Sequence, residues 1–280
     1  MTGSYDPRIT PARPDLAASH LRGKVQAERF VDGTVKEIIV GIAPLRRAPS
    51  HGATMLTEAL RGERVTIYET DDEGWAWGQL ARDGYVGWLP ASALLAPGDE
   101  PTHKVTALRT LVFPEPSIKA PPVEALPLGA QLAITRMQGE FAVSPGGFLP
   151  AKHVAPLASA EKDFVAVAER FLGTPYLWGG KSSLGIDCSG LVQVALTDCG
   201  VMCPRDSDMQ EAAFGRRVEL AQLQRGDLVF WKGHVAIARD AATLIHANAF
   251  HMAVATEPVA EALARIKTTG SDVTSVRRVC

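Results

Sequence analysis

Apolar residues between positions 37 and 94 come in short runs closed by turn residues: EIIVGIAPL (37–45), RVTIYET (64–70), WAWGQLA (75–81) and YVGWLPASAL (85–94), with DDEG and RDG among the breaks. Their spacing predicts antiparallel hairpins that close into a small barrel or sandwich. The last run is the most informative. In Gly84-Tyr85-Val86-Gly87-Trp88-Leu89-Pro90 large residues alternate, a glycine lets the backbone kink and a proline ends the strand. The following Ala-Ser-Ala-Leu should make one short helical turn. A weaker version returns about 60 residues later, where Gly147-Phe148-Leu149-Pro150-Ala151-Lys152-His153-Val154 echoes GWLPASAL. The echo reads as an internal repeat, two small all-β barrels in tandem at 36–97 and 98–157. Pro114, Pro116, Pro121, Pro122 and Pro127 fit a loop inside the second. Residues 1–35, rich in Pro, Arg and Asp, lack periodicity and read as an extended leader.

Charge narrows the partners. With 29 Lys+Arg against 31 Asp+Glu the net charge is −2, and no basic stripe stands out, so neither nucleic acid nor an anionic membrane is expected as a partner. No apolar stretch approaches the length of a membrane span, and the first residues lack a basic region followed by an apolar run. The expected address is the cytoplasm, with reduced thiols. Four cysteines, Cys188, Cys199, Cys203 and Cys280, all fall in the last third. They are too few for a disulfide scaffold, and their spacing does not suit a zinc knuckle.

From residue 158 the texture changes. AEKDFVAVAERFL (160–172) has helical periodicity, with Phe164, Val165, Val167, Ala168, Phe171 and Leu172 on one face. A Gly-rich loop, LWGGKSSLGID, leads into a second helical pattern, CSGLVQVALTDCG (188–200), and then come GDLVFWKG, HVAIARD and TLIHANAF as short strands. Helices first and an antiparallel sheet afterwards predict an α+β unit over 158–280.

Cys188 opens the second helix directly after Asp187. A thiol there faces the positive end of the helix dipole and its unpaired N–H groups, which should lower its pKa and supply half of an oxyanion hole. The competing reading is an ordinary buried cysteine. A thiol nucleophile needs a base, and the base needs something to orient it. His234 starts one strand and His246 lies in the next; folding about Asp240–Ala241 brings the two nearly opposite each other on one face. His251 is a secondary candidate.

GTPYLWGGKSSLGIDCSGLVQ (173–193), GDLVFWKGHVAI (226–237) and LIHANA (244–249) resemble the NlpC family of papain-like cysteine peptidases. Tyr-x-Trp-Gly-Gly, Asp-Cys-Ser-Gly and His-Val match position by position. The resemblance implies a papain-like domain that cleaves γ-D-glutamyl bonds of bacterial wall peptides, with Cys188 as nucleophile, His234 as base and His246 orienting it. The earlier barrels resemble bacterial SH3-like domains. The whole layout is similar to the γ-D-glutamyl-L-diamino-acid endopeptidases (dipeptidyl-peptidase VI) of murein recycling. That subtype implies a murein tri- or tetrapeptide substrate with a free N-terminal L-Ala, and no metal or cofactor. Asp187, Ser189, Asp206, Ser207 and Tyr176 would receive its ammonium end, and Tyr85 would wall off longer stems.

Each assignment has a plainer competitor. Asp187 serves equally as a helix cap, and Tyr85 and Trp88 as barrel core. Trp178 and Trp231 suit packing, Cys199 and Cys203 suit small buried hydrophobes, and Cys280 has no expected role. An acidic residue expected ahead of Arg-Gly-Glu has no clear match in 50–63, and no role is carried onto Glu58. Two alternatives stay open: an exported wall-lytic peptidase, and a non-catalytic protein that binds wall peptides.

Overall fold

The first apolar run is broken at Gly41, where an added Cβ would lie 2.4 Å from the carbonyl oxygen of Ala125. The computed structural model, which describes residues 5–279, therefore has two strands there, Thr34–Ile38 and Ile42–Arg46. They belong to a seven-stranded antiparallel sheet. Its order is Met55–Leu60, Ile42–Arg46, Val86–Pro90, Trp75–Leu80, Arg64–Thr70, Thr34–Ile38 and Leu94–Leu95. The strand Met55–Leu60, which carries Glu58, lies in a stretch whose sequence gave no strand signal. Ile38, Leu45, Val65, Leu80, Tyr85 and Leu89 fill the core.

From residue 5 onward the leader is folded onto this sheet. Leu16–Ala18 pairs in parallel with Arg29–Val31, and all three of its residues are buried. Leu16 packs with Trp77 and Val86, while the Arg13 guanidinium stacks 4.4 Å from the Trp77 ring and 5.0 Å from the Trp88 ring. Burial of one large apolar side chain and a double cation–π contact account for order in a segment without periodicity.

The echoed segment repeats the local geometry. Val86–Pro90, a 3₁₀ turn at Ala91–Ala93 and Leu94–Leu95 correspond to Gly147–Pro150, a 3₁₀ turn at Ala151–His153 and Val154–Pro156. The strands of 103–156 form two three-stranded sheets and one two-stranded ladder around Val105, Val112, Leu126, Leu132 and Leu149. The proline-rich stretch is the loop of the Arg109–Val112/Glu124–Pro127 hairpin.

The chain divides into two compact units at Leu157/Ala158, and the second is of mixed helix and sheet. Its helices are α1 (Phe164–Glu169), α2 (Cys188–Asp198), α3 (Ser207–Ala213) and α4 (Val259–Thr268). Its strands are β1 (Lys181–Ser182), β2 (Gly185–Ile186), β3 (Arg216–Val218), β4 (Asp227–Trp231), β5 (His234–Ala238), β6 (Thr243–Asn248), β7 (Ala253–Pro258) and β8 (Val273–Arg278). β1 and β2 form a small hairpin; the rest make one antiparallel sheet of order β3-β8-β4-β5-β6-β7. α1 is shorter than its periodicity predicts. The Asp163 side chain caps it by accepting from the N–H groups of Val165 and Ala166, and Leu172, expected on the buried face, is exposed beyond its end. Among the described residues, no helix is long and apolar enough to cross a membrane.

Candidate active site

Cys188 is the first residue of α2, and that helix packs against β5 and β6. Gly190 permits the approach of its first turn to the Gly-rich loop: a Cβ there would meet the Gly180 carbonyl oxygen at 2.3 Å. The thiol is 7% exposed, and the backbone N–H groups of Val235 and Ser189 donate to its sulfur. The contact with Val235 sets it beside the first residue of β5, His234.

The thiol's electrostatics depart from the sequence expectation. Burial, together with the Asp187 charge, pushes the Cys188 pKa up to about 12, and the two N–H donors and Arg205 offset only part of this. A helix N-terminus alone would lower it, but desolvation wins. The resting nucleophile is a neutral thiol, not a preformed thiolate.

His234 and His246 do meet. Nε2 of His234 lies 3.0 Å from Nδ1 of His246, with the ring centroids 5.2 Å apart. The register differs slightly from the expected one. Ile237 pairs with Ile245 and Ala238 with Leu244, so His234 is diagonal to His246 and not directly across from it. An offset of two residues preserves the face. Burial drives both pKa values down, to about 3 for His234 and about 4 for His246, and the mutual repulsion of the two rings lowers His234 further. Both rings are therefore neutral near pH 7.

Nε2 of His246 is 3.0 Å from Oε2 of Glu257, and Arg265 donates to both oxygens of that carboxylate at 2.8 and 2.7 Å. Neither Glu257 nor Arg265 was singled out from sequence. Glu257 is diagonal to His246 across the β6/β7 ladder, and β7 itself gave no strand signal to place it. Glu257 also belongs to a group with His246 and His251 whose potential ligand atoms, one from each residue, lie within 4.8 Å of one another. A divalent ion there would have to compete with Arg265 for the carboxylate. His251 is exposed, with its Nδ1 3.0 Å from Asn248 Oδ1.

Asp187 is the clearest departure among the binding candidates. Its Oδ1 accepts from Gly190 N, Ser189 Oγ and Arg205, and its Oδ2 from Gly179 N and Arg205. Arg205 is 1% exposed, also donates to the Gly180 carbonyl, and was not assigned a role from sequence. With five donors from the chain itself, Asp187 does not present an open carboxylate to a ligand. It fixes the Gly-rich loop, α2 and the Arg205 segment together. Ser189 Oγ is similarly held, accepting from Arg205 at 2.8 Å.

Asp206 and Ser207 follow Arg205 at the start of α3, and Gln210 ties that helix to the Ser189 carbonyl at 2.9 Å. They therefore stand near the first turn of α2. Tyr176 is half-buried; burial raises its hydroxyl pKa, and the Asp187 carboxylate raises it further. Tyr85 belongs to the core of the first unit, at 4% exposure. Trp231 packs, 5.7 Å from the His234 ring, whereas Trp178 is exposed. Cys203 is buried and Cys199 half-buried, and Cys280 lies outside the described residues.

This arrangement, a buried thiol on a helix N-terminus beside an imidazole chain, suits nucleophilic attack on an amide carbonyl. Comparison with known proteins agrees. Residues 173–272 match the NlpC/P60 family, and residues 45–94 match a bacterial dipeptidyl-peptidase SH3 domain. A dipeptidyl-peptidase 6 of Lysinibacillus sphaericus is 28% identical over 235 residues, covering 75% of this chain and 86% of the relative. A γ-D-glutamyl-L-lysine dipeptidyl-peptidase of Bacillus cereus is 30% identical over 223 residues, 68% of this chain and 66% of that protein. A solved NlpC/P60 family protein from Bacillus cereus superposes with a TM-score of 0.74 at 22% identity, over 88% of this chain and 99% of that one. The chain is a cysteine peptidase of the NlpC/P60 family with an SH3-like domain ahead of its papain-like domain.

Proposed function

We propose that this enzyme hydrolyses the γ-D-glutamyl–diamino acid bond of free murein tri- and tetrapeptides bearing an N-terminal L-Ala, in cytoplasmic wall-peptide recycling. The observation that carries the reading is the 3.0 Å contact between His234 and His246 on the strand whose Val235 N–H donates to Cys188, in a domain whose relatives include dipeptidyl-peptidases of this bond class. Cys188 Sγ attacks the D-Glu side-chain carbonyl while His234 takes the thiol proton. The backbone N–H groups at the start of α2 receive the developing oxyanion. Collapse of the tetrahedral intermediate releases the diamino-acid amine, to which His234 returns the proton, and water then hydrolyses the thioester. The oxygens of Asp187 are taken by donors of the chain itself, and Asp206, at the N-terminal end of α3, is read as the carboxylate that receives the L-Ala ammonium. Ser207 and Tyr176 complete this end of the reading. The 98–157 segment is read as a second SH3-like domain, supported by its repeat of the strand–3₁₀ turn–strand unit.

The test compares L-Ala-γ-D-Glu-diaminopimelate, the same peptide N-acetylated, and intact sacculi. Cleavage of the free peptide alone is expected; equal cleavage of sacculi would replace recycling with wall lysis, and no cleavage of any would remove the enzyme reading. The pH profile is a second check. A depressed imidazole pKa loses its base form only well below 6.5, so kcat/KM should hold well below pH 6.5 and fall only toward the His234 pKa of about 3. On the alkaline side it should fall near pH 8, where a peptide α-ammonium of pKa about 8 loses its charge. An acid limb centred at 6.5 would contradict the buried, neutral base.

A further inference from the structure

We propose that Glu257, clamped by Arg265, is a positioning residue that dictates which nitrogen of His234 is basic. The inference rests on the reading of His234 as the base. Arg265 spans both carboxylate oxygens of Glu257 at 2.8 and 2.7 Å, so the group that faces His246 is an ionised carboxylate and only accepts hydrogen bonds. Nε2 of His246, 3.0 Å away, must therefore carry its proton. A neutral imidazole has one N–H, which leaves Nδ1 of His246 as a lone pair. The 3.0 Å contact from that Nδ1 to Nε2 of His234 then requires the proton on Nε2 of His234. The remaining nitrogen of His234, Nδ1, is left unprotonated and can accept the Cys188 proton. One carboxylate two strands away thus fixes two tautomers in series.

The assignment has a discriminating consequence. In Glu257→Gln the side-chain oxygen turns to Arg265, which can only donate, and the amide NH₂ faces His246. His246 then accepts at Nε2 and donates from Nδ1, His234 accepts at Nε2, and its Nδ1 becomes the protonated, non-basic nitrogen. kcat should fall on the order of 10²–10⁴-fold with KM little changed, the scale of a tautomer error in a related arrangement. Adding Arg265→Met to Glu257→Gln removes the donor that holds the amide in that orientation, so the double variant should recover part of the lost kcat. Glu257→Asp should retain more activity than Glu257→Gln.

Side-chain ¹⁵N NMR of the histidines reads the tautomers without any turnover. The expected spectrum shows Nε2–H forms for His234 and His246 in the wild type and Nδ1–H forms in Glu257→Gln. A wild-type Nδ1–H form at either ring, or unchanged tautomers and kcat in Glu257→Gln, would overturn the proposal. Expected tautomers in an enzyme that cleaves no γ-D-glutamyl peptide would instead count against the substrate reading alone.

Discussion

Cys188→Ala should lower kcat/KM on γ-D-glutamyl peptides by on the order of 10⁴-fold or more while leaving the fold within about 1 kcal/mol of the wild type. The size of the loss follows from the surroundings of the thiol. Ser189, the next hydroxyl along the chain, is buried with its oxygen between Asp187 and Arg205, so it cannot take over as nucleophile. The small stability change follows from the same burial. With its pKa pushed up to about 12 the thiol is uncharged at neutral pH, so its removal strands no counter-ion and deletes only one sulfur from a packed site. Peptide hydrolysis followed by mass spectrometry, with circular dichroism and thermal unfolding on the same sample, separates the two expectations. Residual turnover within tenfold of the wild type would remove Cys188 from the mechanism. Loss of the folded signal would make it a structural residue instead.

The site was legible in the sequence wherever local chemistry wrote it. A cysteine after a capping aspartate at the start of a periodic run, and two histidines on strands joined by a short turn, are local patterns, and the structure assembles them. The turn is centred on Ala241 and not on the Asp240–Ala241 bond, which shifts the pairing by one residue and leaves His234 and His246 two residues from directly opposite, on the same face. What the sequence hid were long-range polar partners. Arg205 meets Asp187 from 18 residues away, and Glu257 meets His246 through a strand, Ala253–Pro258, whose own residues do not signal a strand. The direction of the Cys188 shift was hidden for a related reason. The helix terminus is visible in sequence, but the burial that outweighs it comes from the sheet packed opposite. In the first unit, short apolar runs gave most strands. The leader's order came instead from a single leucine and one arginine between tryptophans, which leave no periodic trace.

The buried Asp187–Arg205 pair should show the largest stability effect in the second unit. Arg205 is 1% exposed and makes two contacts to the carboxylate, at 2.9 and 2.7 Å, with further bonds to Ser189 Oγ and the Gly180 carbonyl. Replacing it by methionine preserves much of the volume but leaves an uncompensated carboxylate away from water. Breaking such a pair from one side costs about 3–5 kcal/mol, which for a unit of this size lowers the melting temperature by roughly 10 °C or more. Arg205→Lys should fall between, since one ammonium cannot reproduce a planar fork that also reaches Gly180. Asp187→Asn combined with Arg205→Met should cost less than the sum of the single changes, because neither charge is then stranded. The damage should also be local. Hydrogen exchange should accelerate at the amides of Gly179, Gly190 and the first turn of α2, the donors that Asp187 organises, before it does so in the β4–β6 ladder. Because Cys188 sits in that turn, turnover should fall in Arg205→Met even at temperatures where the unit remains folded. An Arg205→Met variant that melts within about 1 kcal/mol of the wild type, with unchanged exchange at Gly190, would mean that the pair is not what holds the nucleophile's helix in place.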